Sequence, residues 1–244
     1  MRETAESQPP GQGEDSMYEL EDVSKRFRRG SEEICALRDL SLTIDRGEFL
    51  AIQGQTGSGK STLLQLLGAL DRASKGSVRY DHRSLESASE GDLNRVRARE
   101  FGFVFQSFNL IPTLTAQENV EAALVPLDVD RRSRHERARL ALGEVGLGHR
   151  VHHLPGELSG GEQQRTAIAR ALVKDPRVIL ADEPTGNLDE TTRDEIMALL
   201  IDLWTRRGTT LIVVTHDGAV AARAPRRIQL QAGSIQATRT TEVV

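Results

Sequence analysis

The sequence predicts an α/β fold with a mostly parallel sheet core, an N-terminal antiparallel β subdomain and an inserted helical subdomain. Short apolar runs, "FLAIQG", "FGFVFQ", "VILADE" and "TTLIVVTHD", alternate with helical stretches. Strands that are apolar along their whole length are those covered on both faces, as in parallel sheets. The chain begins instead with strand-like alternation broken by two turns, and a mostly helical stretch from about 113 to 157 interrupts the βα rhythm.

Residues 1–16, "MRETAESQPPGQGEDS", lack apolar periodicity and are rich in Pro, Gly and acids, so a disordered tail is expected there. "MYELEDVSKRF" through "LSLTIDRGEFLAIQG" reads as strands turning at Arg29-Gly30 and Arg46-Gly47. "FLAIQG" enters a glycine-rich loop, and the helix "STLLQLLGAL" follows. "GSVRYD" and "FGFVFQ" are further strands. In "HERARLALGEVG", Ala138, Ala141, Leu142 and Val145 recur at spacings of three and four, which suits one helix face. "TTRDEIMALLIDLWTRRG" reads as a helix burying Ile196, Leu199, Leu200, Leu203 and Trp204, with Gly208 ending it. "RRIQLQAGSIQA" reads as a hairpin turning at Ala232-Gly233. The expected organisation is one domain over 17–236, with the helical subdomain at about 107–165 and a C-terminal tail at 237–244.

With 244 residues, 38% hydrophobic and 28% charged, the chain can bury a substantial core. A formal net charge of −4 gives no sign of a nucleic-acid binder relying on a large basic excess. A single cysteine, Cys35, excludes an internal disulfide. No apolar run approaches a membrane span, and no signal-peptide core stands at the N-terminus. A cytosolic protein is expected, reaching a membrane only through a partner.

"GQTGSGKST", residues 54–62, fits G-x-x-x-x-G-K-[ST], with a strand before it and a helix after it. Its small residues let several N–H groups converge on phosphates. Lys60 adds positive charge near the β- and γ-phosphates, and the Ser61 hydroxyl is placed to ligate Mg²⁺. Gly54, Thr56, Gly57, Ser58, Gly59 and Thr62 complete the expected nucleotide-contacting loop. "VILADE" delivers Asp182 and Glu183 to the C-terminal end of the sheet, where open α/β folds bind ligands. Asp182 is suited to Mg²⁺ and Glu183 to orienting and deprotonating an attacking water. Gln106 and His216 follow buried strands in the same way. Taken singly, each reads first as an ordinary strand-end hydrogen bond; together they converge on a γ-phosphate, its water or its metal. In "LSGGEQQRTAIARAL", a serine and two glycines precede a strongly helical run. That is an anion-ready helix start, or simply a cap with a turn.

With these pieces assembled, residues 17–236 resemble the nucleotide-binding subunit of an ABC transporter, a P-loop NTPase of ABC-ATPase fold. "LSGGEQQR" is similar to that family's signature, and the order P-loop, Gln106, signature, "ADE", "NLD", His216 is the family's order. The resemblance implies ATP and Mg²⁺ as cofactors, with Ser61, Gln106 and Asp182 at the metal. It implies a head-to-tail homodimer in which Ser159, Gly160, Gly161 and Glu162 of one copy face the γ-phosphate held by the other, with Asp189 at the interface. The aromatic that stacks on adenine falls on Phe27, where tyrosine is frequent; a core phenylalanine is the other reading of Phe27, and Tyr18 is the fallback. "GFVFQSFNLIPTLTAQENV", "GALDRASKG" and "LADEPTGNLD" are similar to the group containing macrolide exporters, lipoprotein-releasing ATPases and antimicrobial-peptide export ATPases, although Ala73 replaces the usual proline. That group implies a membrane permease partner with an extracytoplasmic domain, no nucleic-acid partner and a place at the cytoplasmic face of the membrane. "SFNLIPTLTA" would help form the groove for the permease.

His149, His152 and His153 read as loop histidines without matching metal ligands. Cys35 reads as packing or surface, and "DRRSRHERAR" as a solvated helix face. The expected function is hydrolysis of ATP to power export or extraction of a substrate through the permease. The alternative is a non-transporting ABC ATPase that regulates or transmits force to a membrane complex. A soluble ABC protein of DNA repair or translation would carry a long coiled coil or a second ATPase domain, and neither is visible.

Overall fold

Apolar residues on both sides of a strand need cover on both sides, and that requirement sets the architecture. The computed structural model describes residues 15–30 and 32–240. In order, the elements are β1 (Ser16–Arg29), β2 (Glu32–Asp45), β3 (Phe49–Gln53), α1 (Lys60–Leu67), β4 (Lys75–Tyr80), β5 (Arg83–Ser84), α2 (Glu90–Glu100), β6 (Phe101–Phe105) and α3 (Ala116–Glu121), then a 3-10 segment (Ala122–Leu127) and α4 (Arg131–Glu144). A second 3-10 turn (Pro155–Glu157) leads to α5 (Gly160–Leu172), β7 (Val178–Asp182), α6 (Glu190–Arg207), β8 (Thr210–Thr215), α7 (Gly218–Ala221), β9 (Arg226–Gln231) and β10 (Ser234–Thr240).

The strands form two sheets. A six-stranded sheet has the order β10-β9-β3-β8-β7-β6, parallel except where β10 pairs antiparallel with β9. A four-stranded antiparallel sheet has the order β2-β1-β4-β5. The pleat divides the large sheet's residues between two cores. Phe49, Ala51, Ile179, Ala181, Leu211 and Val213 pack with α4, α5 and α6, and Leu50, Ile52, Val178, Leu180, Ile212 and Val214 pack with α1 and the antiparallel sheet. Burying a side chain of this size stabilises by roughly 1.5–3 kcal/mol, so an apolar stripe on either face of these strands holds an element against it.

The helices end where their residues dictate. Asp189 caps α6 by accepting from Thr192 N, and Gly208 ends it at φ 62 with its N–H on Trp204 O. On α6, Ile196, Leu200 and Leu203 are buried, while Leu199 is only half-buried, as is Trp204, which packs against Phe49 and donates to Gly47 O at 2.8 Å. Ala138, Ala141, Leu142 and Val145 are all buried, as their spacing predicts. The tail boundaries differ from the sequence reading. Ser16 opens β1, and Ala237–Thr240 pair with β9; residues 1–14 and 241–244 lie outside the described residues. Both corrections have one cause: backbone pairing across a ladder continues into polar sequence that has no hydrophobic signal of its own. No helix among the described residues is long and apolar enough to cross a membrane.

The antiparallel sheet is pinned to the large one by aromatics and ions. Tyr18 and Tyr80 are buried 5.1 Å apart, Tyr80 meets Phe101 edge-on at 4.7 Å, and Tyr18 Oη donates to Leu67 O at 3.0 Å. Asp81 accepts from Arg46 and, at 2.8 Å, from Arg177. The Arg46 hydrogen bond above all, opposed by partial burial and aided by Arg177, holds its carboxyl at about 2. The folded-state value is below the ordinary one, so this contribution is complete above about pH 4 and disappears as pH falls through 2. Asp81→Asn is therefore expected to lower unfolding free energy by about 2 kcal/mol at pH 7. Denaturant titrations should show the gap between variant and native protein closing near pH 2; a gap independent of pH would contradict the ionic role.

Candidate active site

β3 runs straight into residues 54–59, and α1 begins at Lys60. A side chain at Gly54 would place its Cβ 2.4 Å from Leu230 O and 2.5 Å from Ser58 Oγ. Gly59 adopts φ 103, and a Cβ there would meet Ala36 O at 2.5 Å. Only glycine fits the loop at these two points. Gly59 provides no side-chain cap for α1, and the first turn of α1 carries no acid. Its leading N–H groups thus lack an internal acceptor and carry the positive end of the helix dipole.

Lys60 is 7% exposed, and its Nζ donates to Gly54 O at 2.8 Å and Gln55 O at 3.2 Å. The same Nζ lies 3.6 Å from Glu183 Oε1. Ser61 Oγ donates to Asp182 Oδ1 at 3.2 Å. Burial raises the Asp182 pKa, the Ser61 hydrogen bond opposes that, Glu183 adds repulsion and Lys60 relieves it. Glu183 has φ 45, a left-handed conformation that a non-glycine residue adopts at a cost of order 1–3 kcal/mol. The bend turns its carboxylate toward His216, whose Nδ1 is 2.9 Å from Oε1 and whose backbone N donates to Oε2 at 3.3 Å. Gln106 Nε2 donates to Asn187 Oδ1 and Asn187 Nδ2 donates to Gln106 O, both at 3.0 Å.

One cleft of about 590 Å³ brings together Thr56, Gly57, Gly59, Lys60, Ser61 and Thr62 with Gln106, Asp182, Glu183 and His216. The remaining loop residues, Gly54 and Ser58, support the loop from behind: Ser58 is 6% exposed and its backbone N donates to Gln55 O. The sequence reading missed the opposite wall, where Ile34, Cys35 and Ala36 of β2 line the cleft. Phe27 is not in that lining. It is 39% exposed, pairs in register with Ile34 and carries Lys25 Nζ 5.0 Å over its ring, so it is no core residue. Tyr18 is fully buried beneath α1 and cannot serve as the fallback. Cys35 is half-buried, with Sγ on Leu37 O at 3.2 Å.

Ser159, Gly160, Gly161, Glu162 and Asp189 line a different hollow of about 500 Å³ that shares no residue with the cleft. Ser159 caps α5, and a reciprocal box forms as Ser159 N donates to Glu162 Oε2 at 2.9 Å and Glu162 N donates to Ser159 Oγ at 3.3 Å. The backbone hydrogen bond from Ser159 is the main reason the Glu162 carboxyl titrates below its ordinary range. The two helix starts therefore differ: α1 is bare and α5 is capped. Arg170 of α5 donates to Phe108 O at 2.7 Å, tying the loop after Gln106 to the signature helix. His149 and His152 are exposed, His153 Nε2 lies 3.1 Å from Arg150, and no group of three or more His, Cys, Asp or Glu suited to a metal occurs among the described residues.

Gly161 lets α5 approach α6 closely, since a Cβ would lie 2.7 Å from Thr192 Cγ2. Gly161→Ala is expected to lower stability by about 1–2 kcal/mol. Adding Thr192→Ser, which removes that methyl and keeps the hydroxyl bonded to Asp189, should restore most of the loss. Thermal melts of the four proteins of the cycle decide it; equal losses with and without Thr192→Ser would contradict the contact.

Residues 37–186 match the family model described as ABC transporter. The chain is 48% identical over 219 residues to the macrolide export ATP-binding/permease protein MacB of Hyphomonas neptunium, covering 90% of this chain and 34% of that one. It is 46% identical over 219 residues to the uncharacterized ABC transporter ATP-binding protein YvrO of Bacillus subtilis, covering 90% of this chain and 95% of the relative. The chain thus spans about a third of the length of the macrolide-export relatives it matches. A dimeric structure of the ATP-binding cassette MJ0796 in a post-hydrolysis state, bound to ADP and Pi, superposes with a TM-score of 0.86 at 42% identity, over 93% of this chain and all of that one.

Proposed function

The chain belongs to the ABC transporter family, and from that premise we propose that it is the ATP-hydrolysing subunit that powers export or extraction of a substrate through a partner membrane permease. The observation that carries this reading is the single cleft holding Lys60, Ser61, Gln106, Asp182, Glu183 and His216 at the end of one parallel sheet. The macrolide-export relatives favour export over a purely regulatory or force-transmitting role.

The residues fit ATP with Mg²⁺. The bare α1 terminus and the loop that excludes any Cβ are built for an anion at close range. Ser61, Gln106 and Asp182, which share the cleft, would hold Mg²⁺ through hard oxygen atoms. The chemistry such an ion would supply there is neutralisation of charge on the phosphates. Lys60 exchanges the Gly54 and Gln55 carbonyls for phosphate oxygens, which releases Glu183 from its 3.6 Å contact. Glu183 then orients the attacking water and takes its proton, and His216 holds that carboxylate in place. Phe27 is the proposed adenine platform, with Ile34 beside it as cleft wall.

The capped start of α5 lies in a separate hollow, and the role we propose for it is to act on a phosphate held by another copy. MJ0796 is described as dimeric, and we assign this chain a dimer whose two copies pair head to tail, with Asp189 at the interface. Binding of ATP favours the closed pair by its differential affinity for that state, and hydrolysis reopens it. The permease, bearing an extracytoplasmic domain, holds the pair at the cytoplasmic face of the membrane.

Lys60→Ala is expected to weaken ATP binding and abolish turnover; native affinity and turnover would remove the phosphate-binding assignment. Glu183→Gln should keep ATP binding, lower turnover by roughly 10²–10⁴-fold, and trap a dimer visible by size-exclusion chromatography with ATP. Turnover of native chain alone and with the permease in nanodiscs tests the coupling. Stimulation by the permease supports it, and turnover indifferent to every candidate permease would overturn the transport role.

A further inference from the structure

A third concavity, of about 490 Å³, lies between the β4–β5 hairpin and α2, on residues to which the nucleotide reaction gives no part. Its volume is within the range of small-molecule sites, roughly 300–1,000 Å³. The floor is apolar. Leu85 and Leu93 are 6% and 2% exposed, and the Tyr80 ring and Val96 join them. The rim is charged, and its acids are already engaged. Asp92 accepts from Ser89 Oγ at 2.6 Å and from Arg95 Nη1 at 2.8 Å. Glu100 Oε2 accepts from Tyr80 Oη at 2.6 Å and lies 3.5 Å from Arg177. Arg83 and Arg99 also line the cavity, and among the described residues neither side chain makes a hydrogen bond or ion pair.

An unpaired arginine on an open surface is ordinary. Two beside one apolar floor, with the neighbouring acids neutralised, leave a local cationic surplus on a chain whose formal charge is −4. A guanidinium pairs best with a planar or multidentate anion, and the floor rewards an apolar body.

We propose that this cavity binds a small amphiphilic anion, its aromatic or aliphatic body seated on Leu85, Leu93 and Tyr80 and its carboxylate or phosphate held by Arg83 and Arg99. The site is distinct from the nucleotide cleft, with which it shares no residue.

Calorimetric titration of the full chain, its cleft saturated with ADP, tests this with naphthoate and its neutral counterpart naphthylmethanol. Naphthoate is expected to bind once per chain, and the alcohol at least about tenfold more weakly, as loss of a charge-assisted hydrogen bond implies. The double variant Arg83→Gln/Arg99→Gln should weaken naphthoate at least about tenfold and leave ADP affinity unchanged. Lys75→Gln, which removes an exposed cation outside the cavity, should leave both unchanged. The proposal is overturned by equal affinity for acid and alcohol, by equal loss in Lys75→Gln, by native naphthoate affinity in the double variant, or by no naphthoate binding at millimolar concentration.

Discussion

The register of four parallel strands is the constraint on which the rest of the site depends. Gln53 of β3 lies beside Thr215 of β8, Val214 of β8 beside Asp182 of β7, and Asp182 beside Phe105 of β6. The four strands thus stop at nearly one line. The residues just past it are Gly54, His216, Glu183 and Gln106. Strands about 4.8 Å apart bring all four within roughly 15 Å, with no loop needed to carry any of them in. The cleft is a property of the sheet edge, and the two cores that cover the sheet hold that edge rigid.

The edge also explains which parts of the site are legible in sequence. Each strand is a short apolar run that ends in a polar residue, so Gln106, Asp182, Glu183 and His216 announce themselves by position, and the glycine-rich loop by spacing. The β2 wall does not. Ile34, Cys35 and Ala36 reach the cleft through a β1–β2 pairing whose register shifts between Val23 and Lys25 and again between Lys25 and Arg26. Such irregularities have no hydrophobic signature. Phe27 offers the aromatic ring that the resemblance calls for, and its place outside the cleft lining depends on the same irregular ladder.

Long-range polar contacts were equally invisible. Asp81, Arg46 and Arg177 lie far apart in the chain and meet only where the antiparallel sheet docks. Arg170 looks like one more charge in a helix, yet it reaches the loop after Gln106. Spacing marks Lys60 as a phosphate ligand, whereas its hydrogen bonds to the loop's own carbonyls depend on a fold around residues 54–59 that spacing cannot specify. By contrast, the cap of α5 was readable, because Ser159 and Glu162 are three residues apart and a capping box is a local event.

The separation of the cleft from the hollow around Ser159 fixes how output scales with the amount of protein. On the proposed reading, a complete reaction centre needs halves from two chains. For a weakly associating free chain, active centres then accumulate with the square of its concentration, and dilution silences it. Two chains docked on one membrane complex meet at a local concentration on the order of millimolar, however few are present in the cell. The permease then supplies colocation as well as a load to move, and a surplus of undocked subunits wastes little ATP.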